Sequence, residues 1–152
     1  MQLANLLAYS VIINATTVTD ATDFVDCGSS GAVVRRVTTS PCNGSPCVLL
    51  KGAPASVRIN FSAGRQSSPS NAVVHGTMAG ERITVLWSHN DVCGYVAHSC
   101  PLLPGRVYTY IFEGLVPTRY PAGVLRVRWE LLDNEVRPFL CVEFNVQLVD
   151  AT

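Results

Sequence analysis

The sequence predicts an all-β fold in which two antiparallel sheets pack face to face. Apolar and polar residues alternate along several segments, as they do in strands that bury one face. Clusters of Gly, Pro, Ser and Asn separate these segments, and no segment after residue 24 has the spacing of an amphipathic helix. About seven or eight short strands of this kind are typical of sandwiches and barrels.

The alternation identifies the strands in chain order. The predicted strands cover residues 33–39, 57–62, 71–79, 82–87, 106–113, 125–131 and 142–148. In the fourth of them Val85 and Trp87 share a face, and in the last Val142 and Phe144 face away from Glu143. The apolar faces of two such sheets meet either in a dry core or around a cavity that holds an apolar guest. Composition does not decide between these alternatives.

The chain of 152 residues is long enough for one domain with one core. Hydrophobic residues make up 48% of it and charged residues 14%, which excludes intrinsic disorder. Eleven Lys and Arg balance eleven Asp and Glu. Because the net charge is zero, we expect neither nucleic acid nor an anionic membrane as a partner, and the ligand should carry little or no charge.

Residues 3–15 are mostly apolar and are followed by small and polar residues as far as Ala21. This arrangement is typical of a signal peptide, although the usual basic residues at its start are missing. We therefore predict a signal peptide over residues 1–21, with cleavage after Ala15 or Ala21, and a domain over residues 22–152. The alternative is a buried first strand or helix of the domain itself.

Six cysteines follow the first 21 residues. In the oxidising compartment that a signal peptide implies, an even number of cysteines predicts three disulfides, and fifteen pairings are formally possible. The simplest proposal closes two short loops, one between Cys42 and Cys47 and one between Cys93 and Cys100. The remaining two cysteines would then join the two ends of the domain.

The sequence contains no motif of a common catalytic centre, since GxSxG, GxGxxG, a phosphate-binding loop and HExxH are all missing. We therefore expect no enzymatic activity and no cofactor. His89 and His98 lie close to Cys93 and Cys100, and two His with two Cys can bind zinc. Their spacing matches no standard zinc finger, so a disulfide is the favoured state of these thiols, and we predict no metal site.

Three Asn-x-Ser/Thr sequons occur, at Asn14, Asn43 and Asn60. Asn14 lies in the predicted signal peptide, and Asn43 lies inside a short cysteine loop. Asn60 lies on the polar face of a predicted strand, where a glycan would extend into water. We therefore predict glycosylation at Asn60, with Asn43 as the alternative.

Several motifs occur in an order that points to a known family. In chain order they are DCGSSGAVVRRV, SPC with a second Cys five residues on, LLKG, AVVHG, a cysteine loop ending in CP, TRYP and FLCVEFNVQLV. With these neighbours the six cysteines closely resemble those of the Niemann-Pick type C family of secreted cholesterol-binding proteins (epididymal secretory protein type). Those proteins belong to the ML lipid-recognition domains. The resemblance runs from Phe24 to Val149.

The resemblance implies a fold, a disulfide pairing and a ligand. The fold is an immunoglobulin-like sandwich with an apolar cavity between its sheets. The implied pairs are Cys27 with Cys141, Cys42 with Cys47, and Cys93 with Cys100. One sterol or other lipid is held between the sheets, and Val85, Val116 and Tyr120 occupy the positions around the entrance of the family's pocket. Because ERITVLWSHND replaces a proline-rich segment of the sterol carriers, we expect an entrance of different shape.

The leading hypothesis is a secreted or lysosomal carrier, a monomer that holds one cholesterol-like sterol and hands it to a membrane transporter. One alternative is a carrier or sensor of fatty acids, semiochemicals or bacterial glycolipids, for which Arg82, Arg106 and Arg119 could supply a basic rim. The other alternative, from a different class, is a solid-core domain that acts as an adhesion or receptor-binding module.

Overall fold

Two β-sheets pack face to face in the computed structural model, which describes residues 21–84, 87–98 and 100–151. The smaller sheet consists, in hydrogen-bonding order, of β1 (Ala21–Thr22), β3 (Ala32–Ser40), β5 (Pro54–Ala63) and β9 (Val107–Leu115). The larger sheet consists, in order, of β2 (Phe24–Asp26), β11 (Pro138–Val149), β10 (Gly123–Leu132), β6 (Asn71–Met78) and β7 (Glu81–Thr84), with β4 (Cys47–Leu50) beside β11 and β8 (His89–Asn90) beside β6. A single turn of 3-10 helix covers Val92–Tyr95. Apart from Ala21, the predicted signal peptide lies outside the described residues.

The long strands confirm the alternation seen in the sequence. Every predicted strand overlaps a strand of the structure, and β5 buries each second residue along its length. The predicted strand 82–87 is a strand as far as Thr84. Val85 and Leu86 lie outside the described residues, and Trp87 lies in a turn.

The structure adds four short strands, β1, β2, β4 and β8, that the sequence did not predict. They are two to four residues long, too short for an alternating pattern to be recognised. The two sheets are antiparallel as predicted, and β4 adds one parallel pairing, with β11. Both β2 and β4 pair with β11 but run in opposite directions, β2 against Val142–Phe144 and β4 beside Val146–Val149.

Aromatic rings fill the middle of the space between the sheets and one of its ends. Trp129, Tyr110, Phe61 and Phe139 are fully buried. The indole Nε1 of Trp129 donates a hydrogen bond to the Tyr110 hydroxyl at 3.2 Å. Burial raises the pKa of the Tyr110 phenol, so this hydroxyl keeps its proton and can also donate.

Three disulfides join the six cysteines in the pairs that the resemblance implied. The bond between Cys27 and Cys141 connects residues 114 positions apart and ties the start of the domain to β11. The other two close loops with sequence separations of 5 and 7. The thiols of Cys93 and Cys100, which were the candidates for zinc, are therefore joined to each other.

Candidate functional site

A cavity lies between the two sheets at one end of the sandwich, which we call the open end. Its volume is about 30 Å³, room for little more than one water molecule. Inward-facing residues of both sheets and the segment 116–120 after β9 enclose it. The lining residues are Thr39, Leu49, Val57, Val74, Trp87, Val116, Pro117, Tyr120, Leu125, Val127, Trp129, Phe144, Val146 and Leu148.

None of the described residues that line this cavity has a charged side chain, and several of their polar groups are already hydrogen-bonded. The Thr39 hydroxyl accepts a hydrogen bond from the Thr22 hydroxyl at 3.1 Å. The indole N–H groups of Trp87 and Trp129 donate to the Leu115 carbonyl and to another buried side chain. Such a lining favours an uncharged apolar guest over water.

Val116 and Tyr120, two of the predicted entrance residues, line the cavity from the segment that follows β9. Only 3% and 5% of their surfaces are exposed. The Val116 N–H donates to the Ala53 carbonyl at 3.0 Å, and the Gly52 N–H donates to the Val116 carbonyl at 2.6 Å. Lys51 Nζ donates to the Tyr120 carbonyl at 2.8 Å. The turn after β4 therefore holds this wall of the cavity in place from both of its ends.

Val85, the third predicted entrance residue, lies outside the described residues. Trp87, which the alternation placed on the same face, does line the cavity. Its side chain is half-buried, and its ring centroid lies 5.5 Å from that of Phe112 and 6.0 Å from that of Trp129. The structure thus assigns to Trp87 a place that the resemblance to the family did not indicate.

A chain of hydrogen bonds runs behind the cavity from Trp87 to Trp129. His89 Nδ1 lies 2.8 Å from the Trp87 carbonyl oxygen, and His89 Nε2 lies 2.9 Å from the Tyr110 hydroxyl. Because a carbonyl oxygen only accepts, Nδ1 carries the proton, and the Tyr110 hydroxyl donates to Nε2 while it accepts from Trp129. His89 therefore connects two walls of the cavity.

The remaining wall residues were not singled out from the sequence. Val57, Leu125, Val146 and Leu148 belong to the apolar faces of predicted strands, so the signal that they point inward was present. Alternation does not say which part of an apolar face meets another side chain and which part meets empty space. The position of the cavity depends on how the two sheets pack against each other.

The two sequons of the predicted domain that the structure describes lie away from the cavity lining. Asn60 is half-buried on the outer face of β5, paired with Arg36 on one side and Thr109 on the other. Its Oδ1 has no hydrogen-bond partner in the part of the chain that the structure describes. Asn43 is exposed in the loop closed by the Cys42–Cys47 disulfide. Glycosylation at Asn60 stays a prediction.

Within residues 21–84, 87–98 and 100–151, no group of His, Cys, Asp and Glu side chains is arranged to hold a metal ion. In the same ranges, no helix has the length and apolar character needed to cross a membrane.

Comparison with known sequences identifies relatives along most of the chain. The profile of the ML domain matches residues 21–148. The protein named NPC intracellular cholesterol transporter 2 of Danio rerio is 40% identical over 136 residues, which cover 90% of this chain and 91% of the relative. The Mus musculus protein of the same name is 38% identical over 125 residues, covering 82% of this chain and 83% of the relative.

Comparison with solved structures supports the same fold. A Niemann-Pick type C2 protein from the Japanese carpenter ant superposes with a TM-score of 0.73 at 21% identity, covering 84% of this chain and 99% of that one. Chicken MD-1, solved in complex with lipid IVa, superposes with a TM-score of 0.53 at 15% identity, covering 80% and 85%. The match to the family profile spans both sheets and all three disulfides of the cavity-bearing sandwich. The chain therefore belongs to the ML domain family.

Proposed function

We propose that this protein is a lipid carrier that holds a single cholesterol-like sterol between its two sheets and transfers it. The observation that carries the proposal is the cavity at the open end, whose lining, as far as the structure describes it, is mostly apolar and uncharged. Relatives named as cholesterol transporters at 38% and 40% identity support the choice of a sterol. The proposed role is binding and transfer without covalent chemistry, and we assign no catalytic residue.

The driving force is the transfer of apolar surface out of water into an apolar cavity. A sterol of about 28 heavy atoms that gains roughly 0.3 kcal/mol per atom gains about 8 kcal/mol, which corresponds to a dissociation constant near 1 μM. A carrier with this affinity retains its ligand in water and can still release it. The magnitude therefore suits transfer between membranes or proteins.

Binding requires the open end to widen. The cavity measures about 30 Å³, whereas pockets that hold small molecules measure roughly 300–1,000 Å³. The side chains that enclose the cavity must therefore move aside when the sterol enters. The larger sheet and the smaller sheet each keep their own strand pairing in such a movement, because the change occurs between their faces.

Sterol titration of entrance variants tests the proposal. We expect the wild-type protein to bind the fluorescent sterol dehydroergosterol with micromolar affinity, and Val116→Trp and Tyr120→Ser to weaken binding about tenfold or more by filling or uncovering the cavity. We expect the same of Val85→Trp at the remaining predicted position. Val124→Trp is the matched control, because Val124 lies on the outer face of β10 with half of its surface exposed. Equal affinities of all four variants and the wild type would contradict the assignment.

The lipid that accompanies the protein from its native source identifies the ligand class. We expect mass spectrometry of an organic extract to find a sterol at close to one molecule per protein. If fatty acids or bacterial glycolipids are found instead, the sterol proposal is wrong and the protein is a carrier or sensor of those lipids. If no lipid is extracted and no apolar probe binds, the protein is a solid-core binding module and the carrier proposal fails.

We also propose that the protein is secreted or lysosomal, acts as a monomer and delivers its sterol to a membrane transporter. The segment 116–120 supports a transfer of the sterol at the open end, because its buried ends face the cavity while Thr118 and Arg119 are exposed.

The intact mass of protein from culture medium tests secretion, signal cleavage after Ala15 or Ala21, and the Asn60 glycan together. Sedimentation tests the monomer, and a protein retained in the cytosol would contradict the proposal.

A further inference from the structure

Trp87 crosses the gap between the two sheets beside the cavity. Its backbone follows β7, which ends the strand order of the larger sheet, while its indole Nε1 donates a hydrogen bond to the Leu115 carbonyl at the end of β9, 3.1 Å away. β9 likewise ends the strand order of the smaller sheet. The indole thus connects the two sheets along one side of the open end.

The end of β9 accommodates the indole only because residue 114 is glycine. A Cβ atom added to Gly114 would lie 2.9 Å from Trp87 Nε1 and 3.2 Å from Trp87 Cε2, closer than side chains normally approach. It would also lie 3.1 Å from the ring of Phe112, which packs against the same indole. The glycine therefore leaves a space that the tryptophan of another strand occupies.

The backbone and the side chain of Trp87 are held with different strength. His89 holds the backbone carbonyl, and the His89 ring is itself packed against Tyr95 and Phe112, with centroids 4.3 and 4.7 Å apart. The indole, in contrast, is held by one hydrogen bond at the protein surface and by its ring contacts with Phe112 and Trp129. Such a bond exchanges readily with water. An outward rotation of the indole would therefore break this hydrogen bond and these ring contacts without breaking the bond between His89 and the backbone.

The two tryptophans of the chain both line the cavity, but they differ in burial and in the structure around them. Trp129 is fully buried in β10, and its N–H is bonded to the equally buried Tyr110 hydroxyl. Trp87 is half-buried and lies in a turn. An outward rotation of Trp87 adds the volume of the largest side chain to a cavity of about 30 Å³. Trp129 is as large, but it is fully buried and has no comparable path outward.

We propose that Trp87 is the gating and size-selecting side chain of this lipid site, with Gly114 providing the space that receives its indole in the closed state. The inference rests on the proposed function, because it concerns the same cavity. With the indole in place the cavity is closed at the side between β7 and β9. With the indole rotated outward the cavity accepts a guest. The space that Trp87 vacates between β7 and β9 then limits the width of the guest at that side.

Dissociation rates of bound sterol provide the main test. We expect Trp87→Ala to release dehydroergosterol about tenfold faster than the wild type, and Trp87→Phe to lie between them, because affinity changes within one site appear mainly in the dissociation rate. We expect Trp87→Ala also to bind a cholesterol that carries a bulky NBD fluorophore on its side chain, which the wild type should exclude. Unchanged rates and an unchanged ligand range in both variants would overturn the proposal.

Gly114→Ala tests the position of the indole without removing it. We expect this variant to accelerate release like Trp87→Ala, and we expect the same alanine to have no effect when Trp87 is already alanine, because it acts through the indole. Additive effects of the two substitutions would overturn the role of Gly114 as the receiving space. In the ligand-free protein, Gly114→Ala should also increase the quenching of tryptophan fluorescence by acrylamide. The increase should disappear when Trp87→Phe is added to Gly114→Ala, because the exposed indole is then missing.

These outcomes separate the inference from the proposed function. If the wild type binds sterol and the Trp87 variants behave like it, the carrier function stands and the gating role is wrong. If the wild type binds no sterol or other lipid by titration or extraction, both fail, and the acrylamide experiment then reports only on packing.

Discussion

The two ends of the sandwich differ in what fills the space between the sheets. At the open end the facing side chains leave a cavity, bordered by Val116 and Tyr120. At the opposite end, which we call the closed end, Phe61 stacks on Tyr108 and meets Phe139 edge to face, with ring centroids 5.8 and 6.2 Å apart. The closed end therefore resembles an ordinary protein core, whereas the open end is underfilled.

Polar contacts reinforce the closed end. Asp133 accepts hydrogen bonds from the backbone N–H groups of Glu135 and Arg137 and from the guanidinium of Arg65. The same guanidinium lies over the Phe139 ring, 5.3 Å from its centroid. We therefore expect stability to depend mainly on the closed end and ligand binding on the open end. Substitutions at the closed end should affect unfolding, and substitutions at the open end should affect the ligand.

The largest expected effect comes from the long disulfide. Removing it with Cys27→Ala and Cys141→Ala should lower the free energy of unfolding by about 4–5 kcal/mol, because the bond restricts a long loop of the unfolded chain. The control is Cys42→Ala with Cys47→Ala, which opens a short loop at the open end and should cost only about 2 kcal/mol. Denaturant unfolding measures both, and equal losses would contradict the loop-length argument.

Truncation of a closed-end ring should come next. Phe139→Ala should lower the free energy of unfolding by about 3–5 kcal/mol, since Phe139 is fully buried among Phe61, Arg65 and Gly31. The sterol affinity of the folded fraction should not change. Denaturant unfolding with and without dehydroergosterol measures both quantities. A large loss of intrinsic sterol affinity would show that the two ends are coupled and would break the comparison.

A matched truncation at the open end should be partly reversible by ligand. Leu148 is buried and lines the cavity, so Leu148→Ala should cost about 2–5 kcal/mol in the ligand-free protein. Bound sterol should restore part of this loss by occupying the space, because a ligand that binds only the native state raises the free energy of unfolding. Thermal unfolding with and without dehydroergosterol gives the comparison. Failure of sterol to stabilise Leu148→Ala more than Phe139→Ala would argue against a filled cavity.

The smallest effect should be that of pH on the closed end. The backbone N–H of Arg137, together with Arg65, lowers the pKa of the Asp133 carboxyl below its ordinary value of 3.8. A carboxyl with a lowered pKa stabilises the fold at pH values above 3.8, and this contribution is lost as the pH falls through the lower value. Asp133→Asn should therefore unfold more easily than the wild type at neutral pH. We expect the two unfolding temperatures to converge as the medium is acidified below pH 3.8, and a constant difference would contradict this assignment.

Much of the fold could be predicted from the sequence because its signals are local. Alternation over β10 and β11 reports which residues face inward, whatever those residues meet. The order of motifs around the cysteines identified the three disulfide pairs. The short strands were not predicted because two residues are too few to show an alternation of apolar and polar side chains. Strands β1 and β8 are defined only by their pairing with β3 and β6.

Two of the three predicted entrance residues lie at the cavity, and their role in ligand binding stays a prediction. The motif TRYP led to Tyr120, and the segment before it led to Val116; both line the cavity. Trp87 was placed on the right face, but its bond to the Leu115 carbonyl and its fit against Gly114 depend on two strands of different sheets meeting at one point. Residues so far apart along the chain carry no shared pattern in a single sequence.

The sequence by itself predicted which side chains turn inward and that the partner should be weakly charged, because both follow from residue type and near neighbours, and its resemblance to a known family predicted which cysteines pair. The tertiary structure alone decided that the inward side chains fill one end and leave about 30 Å³ at the other. The physical reason is that the volume of a cavity is the volume between the two sheets minus the summed volumes of the side chains that face each other across it. This remainder depends on how the two sheets pack together, and neither sheet defines it alone.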